Sequence, residues 1–223
     1  MTKNERSYYS GRMNAATALR PTTKGEETRA QILDAAVRQA SETGFESLTI
    51  GTLAERTGLS KSGLFAHFGS KLELQMAALD EAARQFTEQV FLPALKAPRG
   101  VKRLWALFDN WITWPATARL PGGCPIDAAS REYDHHPGAM RDAVLDRQRL
   151  LDRELGKAVQ LAIETGELQA GTDPRQVAFE MLGTIMVCFR AEMLFGADEA
   201  HKRARAAFER LLREHAASPS PKR

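Results

Sequence analysis

The stretch LTIGTLAERTGLSKSGLFAHFGSKLEL, residues 48–74, decides how this chain folds. Thr49 is placed to cap a short helix over about 50–56, which Gly58 breaks. Ser60 is placed to cap a second over about 61–67, with Gly69 ending it. Ser70-Lys71-Leu72-Glu73 then matches a capping box and opens a long helix to about 92, bounded by Pro93. Two short helices joined by a glycine turn are the layout of a helix-turn-helix. Leu53 and Ala54 form the buried side of the first, and small Ala54 lets the second cross closely. Leu59, Leu64 and Phe68 supply the apolar contacts of the turn and of the second helix. The rest of the second helix carries Lys61, Ser62, Gly63, Phe65 and His67, a set that packing does not call for. It suits a helix that enters a major groove about 12 Å wide.

Working outward, Ile32, Leu33, Ala36, Val37 and Ala40 recur at helical spacing, so a first helix is expected over about 26–43, ended by Gly44. Downstream, helices are expected over about 100–114, 125–132, 138–165, 174–195 and 199–215, with PGGCP at 121–125 as a loop. Asp173-Pro174-Arg175-Gln176 is a strong start signal, with a cap, a proline at the first helical position and a box glutamine. No segment shows the period-two alternation of a sheet, so the fold class is all-α, with about nine helices. Residues 1–24 are polar and aperiodic and are expected to form a flexible arm that holds Tyr8, Tyr9 and an alternative start at Met13. Residues 217–223 are expected to be a disordered tail.

Composition narrows the function classes. Of 31 Lys and Arg and 28 Asp and Glu, residues 1–71 hold 10 and 7, so all the basic surplus lies in the N-terminal third. A local surplus of that sign suits a phosphate-facing module. The cysteines, Cys124 and Cys188, are too few for a disulfide framework and match no zinc spacing. No apolar run approaches the roughly 18–20 residues of a membrane span, and no signal-peptide core precedes the first helix. The protein is therefore expected in the cytoplasm, without cofactor or metal.

The segment from about Thr28 to Leu74 resembles the DNA-binding domain of the tetracycline-repressor (TetR) family. The ILDAA run, the GFESLTI step, the AERTGLSKSGLFAHF core and the following SKLEL fall in that family's order and spacing. The stretch PGGCPIDAASREYDHHPGAMRD is similar to a Gly-Gly-Cys segment of one subgroup. The resemblance implies a DNA-binding domain over 25–72, followed by a helical effector-binding and dimerisation domain over 73–216. It also implies that Thr49 bonds a phosphate, that Lys61, Ser62 and Gly63 face base edges, and that His67 and Lys71 touch the backbone. Phe65 stands where many members have tyrosine; its ring still suits a thymine methyl. Gly51 stands where some members place a base-reading arginine, which shifts readout onto Lys61. Arg12, Arg20 and Lys24 of the arm offer further minor-groove or phosphate contacts.

One recognition helix reads too few base pairs, and dimers solve this with half-sites about 34–36 Å apart on a palindromic operator. Helices 174–195 and 199–215 are the candidate pairing surface, because the first is too apolar for a solvent-facing helix; a plain core role explains it too. Trp105, Phe108, Trp111, Trp114, Cys124, Met140 and Met181 are candidates for an apolar effector pocket, and core packing accounts for them equally well. The expected function is thus a DNA-binding transcription regulator, a repressor released by a small-molecule effector. Cys124 at a helix N-terminus, where a thiol pKa falls, raises the alternative of a redox or electrophile sensor. Pairing Cys124 with His135 or His136 would suggest a hydrolase, but no nucleophile elbow or paired carboxylate supports an enzyme. Asp127, Glu132, Asp134, His135 and His136 lack the spacing of familiar metal sites and read as a solvated turn.

Overall fold

A computed structural model describes residues 23–218; the expected arm, with Tyr8, Tyr9, Arg12, Met13 and Arg20, and residues 219–223 of the expected tail lie outside them. The chain divides into two compact units, residues 1–31 and 32–223. The described part of the first is the opening of helix α1 (Lys24–Thr43). There Thr23 and Glu26 cap each other, the Glu26 carboxylate accepting from Thr23 N at 2.7 Å and Thr23 Oγ1 from Glu26 N at 3.2 Å. That cap starts α1 at Lys24, two residues before the expected position.

The second unit continues with α2 (Ile50–Thr57), α3 (Lys61–His67), α4 (Lys71–Phe86), α5 (Val101–Thr117), α6 (Pro125–Glu132), α7 (Ala139–Glu164), α8 (Pro174–Phe195) and α9 (Ala197–Glu214). Among the described residues there is no strand. No helix among the described residues is long and apolar enough to cross a membrane.

Two prolines do not stop their helices. After Phe86, α4 runs on through a π-helical turn (Thr87–Phe91) into a last turn (Leu92–Ala94) that contains Pro93. Leu92 N donates five residues back to Thr87 O, which widens the helix where the ring of a proline would otherwise meet a carbonyl. In α5, Pro115 lies inside the helix, which continues to Thr117. Trp111, Ile112, Trp114 and Pro115 are all buried, and that packing outweighs the cost of about 3 kcal/mol of an interior proline.

The core has two centres of side chains. The first gathers the apolar stripe of α1 from Ile32 onward with Phe45, Leu48, Leu53, Leu64, Phe68, Leu74 and Leu79, and closes with Ala129, Tyr133, Met140 and Val144 from α6 and α7. The second is aromatic. Phe86 sits between Trp111 and Trp114 at centroid distances of 4.8 and 5.2 Å, and Phe108 stacks on Phe208 at 4.3 Å.

Candidate nucleic-acid interface

Three side-chain caps shape the region between residues 49 and 73. Thr49 Oγ1 accepts from Thr52 N at 3.1 Å while Thr52 Oγ1 accepts from Thr49 N at 3.1 Å, a reciprocal box that starts α2. Gly58, at φ 70°, ends α2 in the left-handed region, where the lack of a side chain removes the strain. Ser60 Oγ accepts from Gly63 N at 3.0 Å and starts α3. Ser70 Oγ accepts from Glu73 N at 3.1 Å and starts α4. The returning arm of the expected Ser70 box lands one residue early, with Glu73 accepting from Gly69 N at 2.8 Å. Phe68, in extended conformation, ends α3 in place of Gly69.

α2 is pinned to α1 by an Arg56–Glu42 ion pair at 2.5 Å and by Gln39 Nε2 donating to Thr52 Oγ1 at 2.8 Å. α3 is held by fully buried Leu64 on its inner side. Its outer side presents Lys61, Ser62 and Gly63, all exposed, and Phe65, 53% exposed; His67 is half-buried at the helix end. An aromatic ring so exposed gains little from folding. Leu59, expected in the turn's apolar contacts, is 40% exposed. The turn closes through the glycine cap and Leu64, and Leu59 lies outside that closure.

Lys61 leans back over α2: a Cβ on Gly51 would stand 3.9 Å from Lys61 Nζ. The space left by Gly51 is thus partly taken by the lysine ammonium. Lys71 Nζ is 2.7 Å from Glu46 Oε1, and both side chains are largely solvent-accessible. That lysine holds the Glu46 carboxyl below its ordinary range despite some burial, and Tyr133 Oη donates to the other oxygen at 3.2 Å. Burial, aided by the charges of Glu132 and Glu46, pushes the Tyr133 phenol up, so it stays a donor.

The seven candidate effector residues divide among several places, with Trp105 and Phe108 both against Phe208 and Trp111 beside Cys124. Trp105 lines a surface hollow of about 460 Å³ with Asp198, His201 and Arg205. Phe108 stacks on Phe208, while Trp111 and Trp114 enclose Phe86. Met181 is buried on α8, and Met140 belongs to the core beneath α1–α4. The Trp114 indole N–H is buried without a hydrogen-bond partner; that of Trp111 has none beyond the Cys124 sulfur nearby. Cys124 caps α6, its Sγ accepting from Asp127 N at 3.5 Å. Its thiol pKa is nevertheless pushed up to about 12, because burial outweighs the helix N-terminus. The expectation of a lowered pKa is therefore corrected. His135 is 90% exposed while Cys124 is buried, so the two do not form a nucleophile–base pair. Of the acidic and histidine cluster, Asp127 pairs with Arg131 at 3.0 Å, and Glu132 is bound to backbone. No group of three or more metal-ligating side chains comes together among the described residues.

Two family descriptions match the chain: "Bacterial regulatory proteins, tetR family" over residues 32–78, and "Tetracyclin repressor-like, C-terminal domain" over residues 100–208. A probable HTH-type transcriptional regulator, ArpR of Pseudomonas putida, is 38% identical over 180 residues, 74% of this chain and 80% of ArpR. The chain belongs to the TetR family. The HTH-type transcriptional repressor AcnR of Corynebacterium glutamicum is 27% identical over 83% of this chain and 89% of its own length. AibR, solved in complex with isovaleryl coenzyme A and operator DNA, shares the fold, with TM-score 0.65 and 22% identity over 82% of this chain and 98% of AibR. As a TetR-family member the chain is a DNA-binding transcription regulator, and α2–α3 is its helix-turn-helix.

Proposed function

We propose that this TetR-family protein represses transcription from the cytoplasm by holding a palindromic operator as a homodimer, and leaves it when a small-molecule effector binds. One observation carries this: α3 is fastened from behind by Leu64 while Lys61, Ser62, Gly63 and a half-exposed Phe65 face outward. In a major groove, Lys61 reaches guanine O6 or N7 and Phe65 meets a thymine methyl. Thr49 and the first N–H groups of α2 take a phosphate, as do His67 and Lys71. In this division residues 25–72 read DNA and residues 73–216 sense and pair.

Pairing is supported by α8 and α9. Phe179, Val187, Met193, Leu194 and Phe195 are exposed, Phe195 to 73%, and a groove of about 820 Å³ runs between the two helices past Gly183, Thr184, Val187 and Ala204. So many exposed apolar side chains on two helices support an interface, and a second copy presents the same surface to it. Effector binding is supported by the buried indole donor of Trp114, which lacks an acceptor that a ligand carbonyl or carboxylate would supply. The named ligand of AibR lends the same support by analogy. The raised pKa of Cys124 weighs against oxidant sensing, since the thiolate is the reactive form.

Gel-shift titration against DNA flanking the protein's own gene tests the proposal. Specific, steeply salt-dependent binding is expected. Lys61→Ala should relax specificity and Lys71→Ala should weaken all sequences alike; equal losses on every sequence from both would refute these roles.

A further inference from the structure

The turn between α1 and α2 is gripped from two sides. From α4, Gln75 Nε2 donates to Phe45 O at 2.7 Å in a buried bond. From the end of α6, the two oxygens of Glu132 accept from Phe45 N at 2.7 Å and from Glu46 N at 2.8 Å. A carboxylate on two successive backbone N–H groups is a strong, directional contact. The backbone leaves no slack around it: at Gly44, φ 82°, an added Cβ would lie 2.7 Å from Glu132 Oε1. Tyr133, the next residue, donates to the Glu46 carboxylate that holds Lys71.

The start of the same segment grips α1. Ser41 Oγ accepts from Gly122 N at 3.1 Å and donates to Gly123 O at 2.8 Å. A Cβ on Gly122 would fall 1.8 Å from Ser41 O, so backbone meets backbone there and only glycine fits. Between the two grips, Cys124 caps α6 and fixes their spacing.

We propose that the segment Gly122–Tyr133 sets the position of the DNA-reading helices, with Glu132 as the positioning residue that itself makes no contact with DNA. The inference rests on the DNA-binding proposal above. α2 begins four residues after Glu46, and α3 packs on α2, so a change of angle at the Phe45–Glu46 peptide is carried directly to Lys61 and Phe65. Any displacement of α6 by events elsewhere in the C-terminal domain therefore reaches the reader through this carboxylate.

Charge and position predict opposite outcomes for Glu132→Gln. Removing a negative charge near a phosphate-binding face would, by electrostatics alone, tighten DNA binding. Gln has one acceptor oxygen, so one of the two N–H groups loses its partner and the turn loosens. The probe is a duplex selected by the wild-type protein from a randomised library. Titrated well below the melting temperature of each variant, Glu132→Gln should bind that duplex about tenfold more weakly, within the usual range of coupling between sites. Its salt slope should be unchanged, because no phosphate contact is lost. Ser41→Ala, which removes the hydroxyl between Gly122 and Gly123, should act in the same direction and keeps the test open if Glu132→Gln unfolds. Equal or tighter binding by a folded variant, even with a lowered melting temperature, overturns the proposal and leaves Glu132 a structural residue. A folded wild-type dimer that selects no duplex would instead refute the DNA-binding assignment.

Discussion

On the proposed Lys71–phosphate contact, Glu46→Gln is expected to strengthen DNA binding, because in the free protein Glu46 holds the same ammonium. Lys71 Nζ lies 2.7 Å from Glu46 Oε1, with side-chain exposures of 42% and 65%. At that exposure solvent screens the pair, and about 0.2–1 kcal/mol is the appropriate scale. A lysine released from that pair therefore gives roughly 1.4- to fivefold tighter binding at low salt, and the lost repulsion of a carboxylate acts in the same direction. The log–log salt slope should steepen by up to about 0.9, the value for one further neutralised phosphate. Lys71→Ala should flatten it by a similar amount and cancel the lysine-dependent part of the gain. The backbone N–H of Glu46 keeps its bond to Glu132 in the glutamine variant, so the turn is not disturbed. Anisotropy titrations of a fluorescent duplex from about 50 to 300 mM salt read both quantities. Weaker binding by Glu46→Gln, or an undiminished gain in the double variant, would refute the competition.

Further perturbations give distinct readouts. Val187→Glu places a carboxylate in the apolar α8–α9 groove of each copy; losing about 1.5 kcal/mol of burial per valine and stranding two charges should raise the dimer dissociation constant about a thousandfold or more, and light scattering that still shows a full dimer would remove α8 from the interface. Cys124, its pKa pushed up to about 12, should resist alkylation at pH 8 in the native state and react on unfolding; fast native labelling located at Cys124 by mass spectrometry would contradict the burial that raises it. Because that folded-state pKa is above the ordinary thiol value, the stability it contributes is complete below about pH 9 and is lost as pH rises from there through about 12, a decline that Cys124→Ser should lessen in thermal melts. Gly122→Ala drives a methyl into Ser41 O and should cost about 2 kcal/mol or more, so an unchanged melting temperature would show that the loop moves freely.

The reader was legible because its signals are local. Thr49, Ser60 and Ser70 each satisfy the backbone N–H three residues ahead, so their caps can be read from spacing alone. Asp173-Pro174 marks the start of α8 for the same reason. What stayed hidden depends on partners far along the chain. Pro93 and Pro115 look like stops until the π-turn and the tryptophan packing that accommodate them are seen. Glu132 stands in sequence among Asp127, Asp134, His135 and His136 and reads as part of a solvated turn; its partners are backbone N–H groups 86 and 87 residues away, which leave no mark on side-chain patterns. The candidate effector residues show the same limit, since tryptophan and methionine line a pocket or fill a core with the same composition.

The two halves of the interface obey different physical constraints. α3 has seven residues, too few to persist alone, and its position is borrowed from Leu64 behind it and the Ser60 cap before it. Lys61, Ser62 and Phe65 are exposed, so on the proposed DNA-reading role changes there would alter what is read while stability moves by only about 0.5 kcal/mol. The turn at Phe45–Glu46 is the reverse case. Both peptide N–H groups and the Phe45 carbonyl are engaged by side chains from α6 and α4, and at Gly44, φ 82°, a side chain would be strained and would press on the Glu132 carboxylate. A surface free to change its chemistry thus hangs from a corner that is not free to change its geometry. On the proposal that Glu132 positions the reader, a fixed corner would turn a small movement of α6 into a defined rotation of α3, where a loosely held one would absorb it.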